Sequence, residues 1–177
     1  MVIETVLVSA ANAMVAAVLI NSGAAKLVSP VGLRGAAQEV VPAFGGGITD
    51  GLVRAVAGLE LVTAAGLLVA MTRMPAVVFV ALFGISFAAL GAAGAIRGST
   101  TECGCFGRTS GKPLGMTNFF IGLALLPVVL LNAWVRTVGA EYTANAVVLA
   151  ALGSLLMCLW LNRRLASQLL TRRARRA

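Results

Sequence analysis

The sequence predicts an all-α integral membrane protein, and three observations carry that reading. Mean hydropathy over the 177 residues is +0.96. Hydrophobic residues make up 59% of the chain and charged residues only 11%, which leaves too little polar surface for a soluble domain of this length. Five apolar stretches approach the roughly 20 residues that a helix needs to cross about 30 Å of hydrocarbon. A segment in lipid must satisfy its own peptide groups, so each stretch reads as a helix.

The first helix is expected over residues 2–28, interrupted only by small polar residues such as Asn12 and Asn21. Its start carries Glu4 and no lysine or arginine before Lys26. Its apolar run is also too long for a signal-peptide core, so it is expected to stay in the mature protein. The next stretch, SPVGLRGAAQEVVPAFGGGITD, holds Pro30, Pro42 and three consecutive glycines and cannot span. Its pattern allows a short amphipathic helix over 31–41, lying at the interface and placed to cover the loop that follows the third span. The second span is expected over 52–71 and the third over 75–96, with Pro75 acceptable at a helix start. The fourth is expected over 117–135 and the fifth over 143–161. No internal repeat stands out. The fold class is therefore a four-helix transmembrane core plus a fifth C-terminal transmembrane helix, with a short interfacial helix between the first two spans. The core domain covers 1–137; the extra helix and basic tail cover 138–177.

The net charge is +8, but the excess lies mainly in RRLASQLLTRRARR, 163–176. Six arginines directly after a spanning helix mark a cytoplasmic end that holds anionic headgroups, so no nucleic-acid partner is expected. With five crossings, twelve of the 14 lysines and arginines share one face, and only Arg73 and Arg136 lie on the other. The positive-inside rule then puts the N-terminus outside and the tail inside a bacterial-type cell membrane. Independently of that absolute orientation, the loops after helices one and three share a side. Lys26, Glu60, the loop RGSTTECGCFGRTSGKPLG and Asn118 therefore approach the same membrane face.

Two sets of residues in that group carry chemistry. Glu60 is expected about eight residues into its helix, roughly 12 Å deep, where an ionisable group is costly unless paired or neutral. Its expected partner is Lys26, on a polar stripe shared with Asn12 and Gly23. The competing reading has Lys26 snorkelling to the headgroups and Glu60 only fixing helix packing. Cys158, among apolar neighbours in the fifth helix, reads as a small buried hydrophobe.

Cys103 and Cys105 differ, because Gly104 between them removes the Cβ crowding that would keep two sulfurs apart. Arg97, Arg108, Lys112 and Lys26 are cations that favour a thiolate nearby. A disulfide across one residue closes a small ring of the easily exchanged kind. Metal competes: two thiolates suit Cu(I) better than a four-ligand zinc. A tight structural turn is the third reading. The chain has no histidine, which removes the usual Ser/His and Cys/His nucleophiles. AFGGGITD also lacks the lysine of a phosphate loop.

CGCFG, 103–107, preceded by Arg97 and Gly98 at a helix end, resembles the signature of the methylamine utilisation protein MauE family, related to the DoxX-type small membrane proteins. Supporting matches are the G-x-x-K-L of 23–27, Pro42, the Leu59–Glu60 pair and Asn118, over about residues 5–135. The resemblance implies a four-helix membrane protein that matures disulfide-rich periplasmic proteins, notably the methylamine dehydrogenase small subunit, beside a thioredoxin-like partner. It implies Cys103 and Cys105 as the redox pair and Lys26 and Glu60 as their functional partners. Gly104, Phe106, Gly107, Arg97 and Asn118 are then supporting residues. No cofactor is called for by the residues themselves, and a quinone stays open as an electron acceptor. The rival functions are Cu(I) binding at Cys103 and Cys105, and a non-catalytic membrane assembly subunit. Thr117 departs from the family, which commonly has arginine there. The charge count puts the cysteine loop on the cytoplasmic face, whereas the resemblance implies the outside.

Overall fold

The computed structural model describes residues 2–42, 47–103, 113–137 and 144–161. They form six α-helices: α1 (Val2–Val28), α2 (Pro30–Val40), α3 (Asp50–Leu68), α4 (Arg73–Ile96), α5 (Met116–Thr137) and α6 (Ala144–Leu161). Four of them, α1, α3, α4 and α5, are long and apolar enough to cross a membrane, and α6 adds a shorter apolar helix. The all-α membrane architecture is as expected. The basic tail lies outside the described residues.

Helix ends follow their capping chemistry. Pro30 opens α2 at a position where a missing N–H costs nothing. α3 begins at Asp50, two residues before the expected start, because the Thr49 hydroxyl accepts from the Leu52 N–H at 3.2 Å and Asp50 faces the helix dipole. It stops at Leu68, three residues short of the expected end. Val69 is extended there, and a 3-10 turn, Ala70–Thr72, leads into α4. Within that turn the Thr72 hydroxyl donates to the Gly66 carbonyl at 3.0 Å. α4 starts at Arg73, before Pro75, since proline is tolerated anywhere in the first turn.

The far end of α4 has a specific stop. Gly98 sits at φ +63°, and the Ser99 N–H donates to the Gly94 carbonyl at 2.9 Å while the Gly98 N–H donates to the Ala95 carbonyl at 3.3 Å. This is a Schellman closure, which needs a left-handed residue after the cap. Glycine at 98 therefore turns the chain sharply out of the helix toward Cys103.

The bundle is centred on α1, which packs along α3 and α6 and touches α5, while α4 packs along α5. Val15, Ala16 and Leu19 of α1 meet Ala64 and Leu67 of α3, Val80 and Phe83 of α4, and Leu125 of α5 in one core. The α4–α5 seam is made of glycines. A Cβ at Gly122 would collide with the backbone of Ala88 and Gly84, and one at Gly91 with the backbone of Phe119. Such close crossings, without side chains between the axes, are how helices associate in lipid. Large apolar side chains point outward, as with Leu130, 70% exposed; against lipid this carries no penalty.

Candidate functional site

Lys26 and Glu60 form a buried ion pair joining α1 to α3. Lys26 is 1% exposed and Glu60 0%. One turn before Lys26, the Ser22 hydroxyl accepts a second bond from its ammonium at 2.6 Å. The Phe87 ring of α4 lies 4.9 Å from the nitrogen, within cation–π range. The approach of the two helices is set by Gly23, where a Cβ would stand 2.9 Å from the Ala57 carbonyl. Glycine there lets α1 come close enough for Lys26 to reach a carboxylate one turn beyond Ala57. The snorkelling reading of Lys26 is therefore overturned: its charge is neutralised inside the bundle instead of being carried to the headgroups. Glu60 also stands ten residues into its helix rather than eight, because α3 starts earlier. Its Oε2 is buried with no hydrogen-bond partner.

Cys103 follows the Schellman turn and is 3% exposed. It is disulfide-bonded, whereas Cys158 is in no disulfide. Ala36 and Val40 of α2 pack on it together with Leu114, so α2 lies over this cysteine. Gly104, Cys105, Phe106 and Gly107 lie outside the described residues, as do Arg108 and Lys112. On either side of them the chain is pinched: the Leu114 N–H donates to the Thr101 carbonyl at 3.4 Å, and Glu102 pairs with Pro113. Arg97 is exposed at the cap of α4.

α2 is fastened to this turn by a carboxylate that sequence reasoning passed over. Glu39 Oε2 accepts from the Ser99 hydroxyl at 2.9 Å. Bonds from the Thr101 hydroxyl first, then Ser99, with the backbone of Thr100 and Thr101, hold its carboxyl below the usual glutamate range. An exposed Arg34–Asp50 pair at 2.8 Å ties the same helix to the start of α3. The only prior signal for Glu39 was its place on the polar face of an amphipathic segment.

Asn118 lies in the first turn of α5, 8% exposed, with its Nδ2 buried and without a hydrogen-bond partner. It lines a cavity of about 370 Å³ bounded by α2, α3, α4 and α5 and open to the surface on one side. Lys26 and Phe87 line the same cavity, and its remaining walls are almost entirely apolar. Leu33, Val41, Leu90 and Leu114 are shared: they face the cavity and also pack in the Cys103 cluster. The structure thus gathers Lys26, Asn118 and, one layer behind, Cys103 and Glu60 at one end of the bundle. Arg97 remains at its edge.

Two further polar contacts escaped the sequence reading. Asn12 and Asn132 exchange amide bonds at 3.2 and 2.8 Å between α1 and α5, both fully buried. Cys158 is only half-buried, and the Asn21 amide donates to its sulfur at 3.4 Å, which fastens α6 to α1. Among the described residues, no group of three or more His, Cys, Asp or Glu side chains is placed to hold a metal.

Residues 4–136 match the model of a family described as methylamine utilisation protein MauE. No curated protein matches the chain, and no solved structure does.

Proposed function

The chain belongs to the methylamine utilisation protein MauE family, and from that premise we propose that it is a membrane thiol–disulfide exchange factor working with a thioredoxin-like partner. One observation carries the reading: a disulfide-bonded cysteine, Cys103, sits at the end of the bundle where an apolar cavity meets a buried ion pair. Such a pair is a proton store next to sulfur chemistry that both consumes and releases protons.

In this proposal Cys103 and Cys105 alternate between dithiol and disulfide. Burial of Cys103 under α2 makes Cys105 the sulfur that the partner attacks. The partner's thiolate forms a mixed disulfide with Cys105, the original S–S bond breaks, and Cys103 leaves as a thiolate that takes a proton. Lys26 and Glu60 supply the nearest buried proton-holding groups, and Asn118 with Arg97 frames the site. Residues 1–137 form the exchanging domain. The segment 138–177 is an appended helix and a basic tail that holds anionic headgroups. The client is an exported, disulfide-rich protein of the methylamine dehydrogenase type.

Trapping tests this. Cys103→Ser, with its Cys105 thiol first converted to a mixed disulfide with thionitrobenzoate and then mixed with a thioredoxin-fold partner whose resolving cysteine is replaced, is expected to form a covalent heterodimer with release of thionitrobenzoate, and reductant should dissolve it. Cys105→Ser is expected to accumulate none. Equal absence of the adduct in both variants, with both thiols of the native chain free under oxidising conditions, contradicts the proposal.

A further inference from the structure

We propose that the cavity between α2, α3, α4 and α5 binds the ring of a neutral, lipid-soluble quinone, with the Asn118 amide donating to one ring carbonyl. This deepens the exchange reading and rests on it for the electron donor, but the binding step stands on its own geometry.

The volume, about 370 Å³, falls in the range of small-molecule sites, roughly 300–1,000 Å³. Water fills such a space only where several polar groups meet it, and here the walls are nearly all apolar. An apolar occupant is favoured, and one requirement narrows its class. Asn118 contributes a buried amide nitrogen with no partner, a group that costs about 1–3 kcal/mol to leave unsatisfied. A carbonyl oxygen at that wall satisfies it; a saturated chain does not. The one cation in the walls, Lys26, is already neutralised by Glu60, so an anionic ligand meets no net positive charge. Phe83 and Phe87 line the same wall as a stacked pair with centroids 6.3 Å apart, a surface suited to a flat conjugated ring. Leu52, another wall residue, is 50% exposed, so the cavity reaches the surface at the start of α3. A ligand dissolved in the bilayer has a route in.

The chemistry balances if the ring is the electron acceptor. Two cysteine S–H bonds break and one S–S bond forms. Two electrons reduce the ring, and its two carbonyl oxygens take the two protons, giving disulfide and quinol. Only one layer, Leu33, Leu90 and Leu114, separates the cavity from the packing around Cys103.

The test is direct binding of ubiquinone-1 to the purified full chain in detergent, followed by calorimetry. Saturable binding at one site per chain is expected. Asn118→Leu is expected to weaken it by about tenfold, the value of one well-placed hydrogen bond. Val56→Trp, which fills the cavity, is expected to abolish it with the melting temperature retained, and Cys103→Ser/Cys105→Ser is expected to bind as the native chain does. If Val56→Trp fails to fold, the Asn118→Leu titration decides alone. No saturable binding, affinity unchanged in Asn118→Leu, or equal displacement by a saturated fatty alcohol overturns the proposal. Native binding together with failure of the quinone to oxidise the reduced chain overturns the ring's role as electron acceptor, while the trapping experiment above decides the exchange reading separately.

Discussion

Two buried polar pairs hold α1 to its neighbours, and they are built differently. Asn12 and Asn132 each give and take one amide bond, are fully enclosed, and stand next to core packing. Lys26 and Glu60 carry charge, leave Glu60 Oε2 without a partner, and have their lysine in the wall of a cavity. A pair whose bonding is internally complete can only position helices. Burying a charged pair beside an open space costs desolvation that packing alone does not require, and in the function proposed above that pair is the proton-holding group. The two pairs thus differ in charge and in access to a cavity, and substitution at each tests whether that difference carries function.

The largest effect expected is from breaking the charged pair on one side. Glu60→Leu leaves a buried ammonium uncompensated and should lower stability by about 3–5 kcal/mol, read as a fall in detergent melting temperature. The double variant Lys26→Met/Glu60→Leu should recover most of that stability yet still lack thiol exchange. Exchange that persists in the stable double variant would reduce this pair to a second latch. The neutral pair gives the mirror result. Asn12→Ala, which orphans Asn132, should cost about 1–3 kcal/mol, while Asn12→Leu/Asn132→Leu should be close to neutral in stability and keep full exchange activity.

Helix existence was legible in the sequence, because long apolar runs admit few alternatives in lipid. The ends were less so: the shift of α3 to Asp50–Leu68 depends on the Thr49 cap and on the extended Val69. The Lys26–Glu60 pairing was legible for a physical reason, since two opposite charges in adjoining spans have few other ways to be neutralised. Asn132 was not, as its meeting with Asn12 depends on how α5 is rotated against α1. Glu39, Ser99 and the cavity were hidden for the same reason: each is made by segments distant in the chain. Cys103 was legible by type, but its burial under Ala36 and Val40 was not.

Smaller effects sharpen the contrast at the cavity's outer edge. Glu39 has its folded pKa depressed by the Thr101 and Ser99 hydroxyls. Its contribution is therefore fully present above the ordinary glutamate value and is lost as pH falls through the folded one. The melting temperature in detergent should fall over that acidic window in the native chain, and Glu39→Gln should remove this part of the pH dependence. The least effect belongs to the exposed Arg34–Asp50 pair. Arg34→Ala should change stability by about 0–1 kcal/mol, less still at high salt, and leave exchange untouched.

The central claim is that Cys103 and Cys105 form and release a disulfide in the working protein. Residue-resolved mass spectrometry of the native chain, alkylated with maleimide before and after dithiothreitol, tests it most directly. The prediction is that Cys103 and Cys105 are unmodified before reduction and both modified after it, while Cys158 does not change. Modification of both at full stoichiometry without reductant, under oxidising and reducing conditions alike, would contradict it.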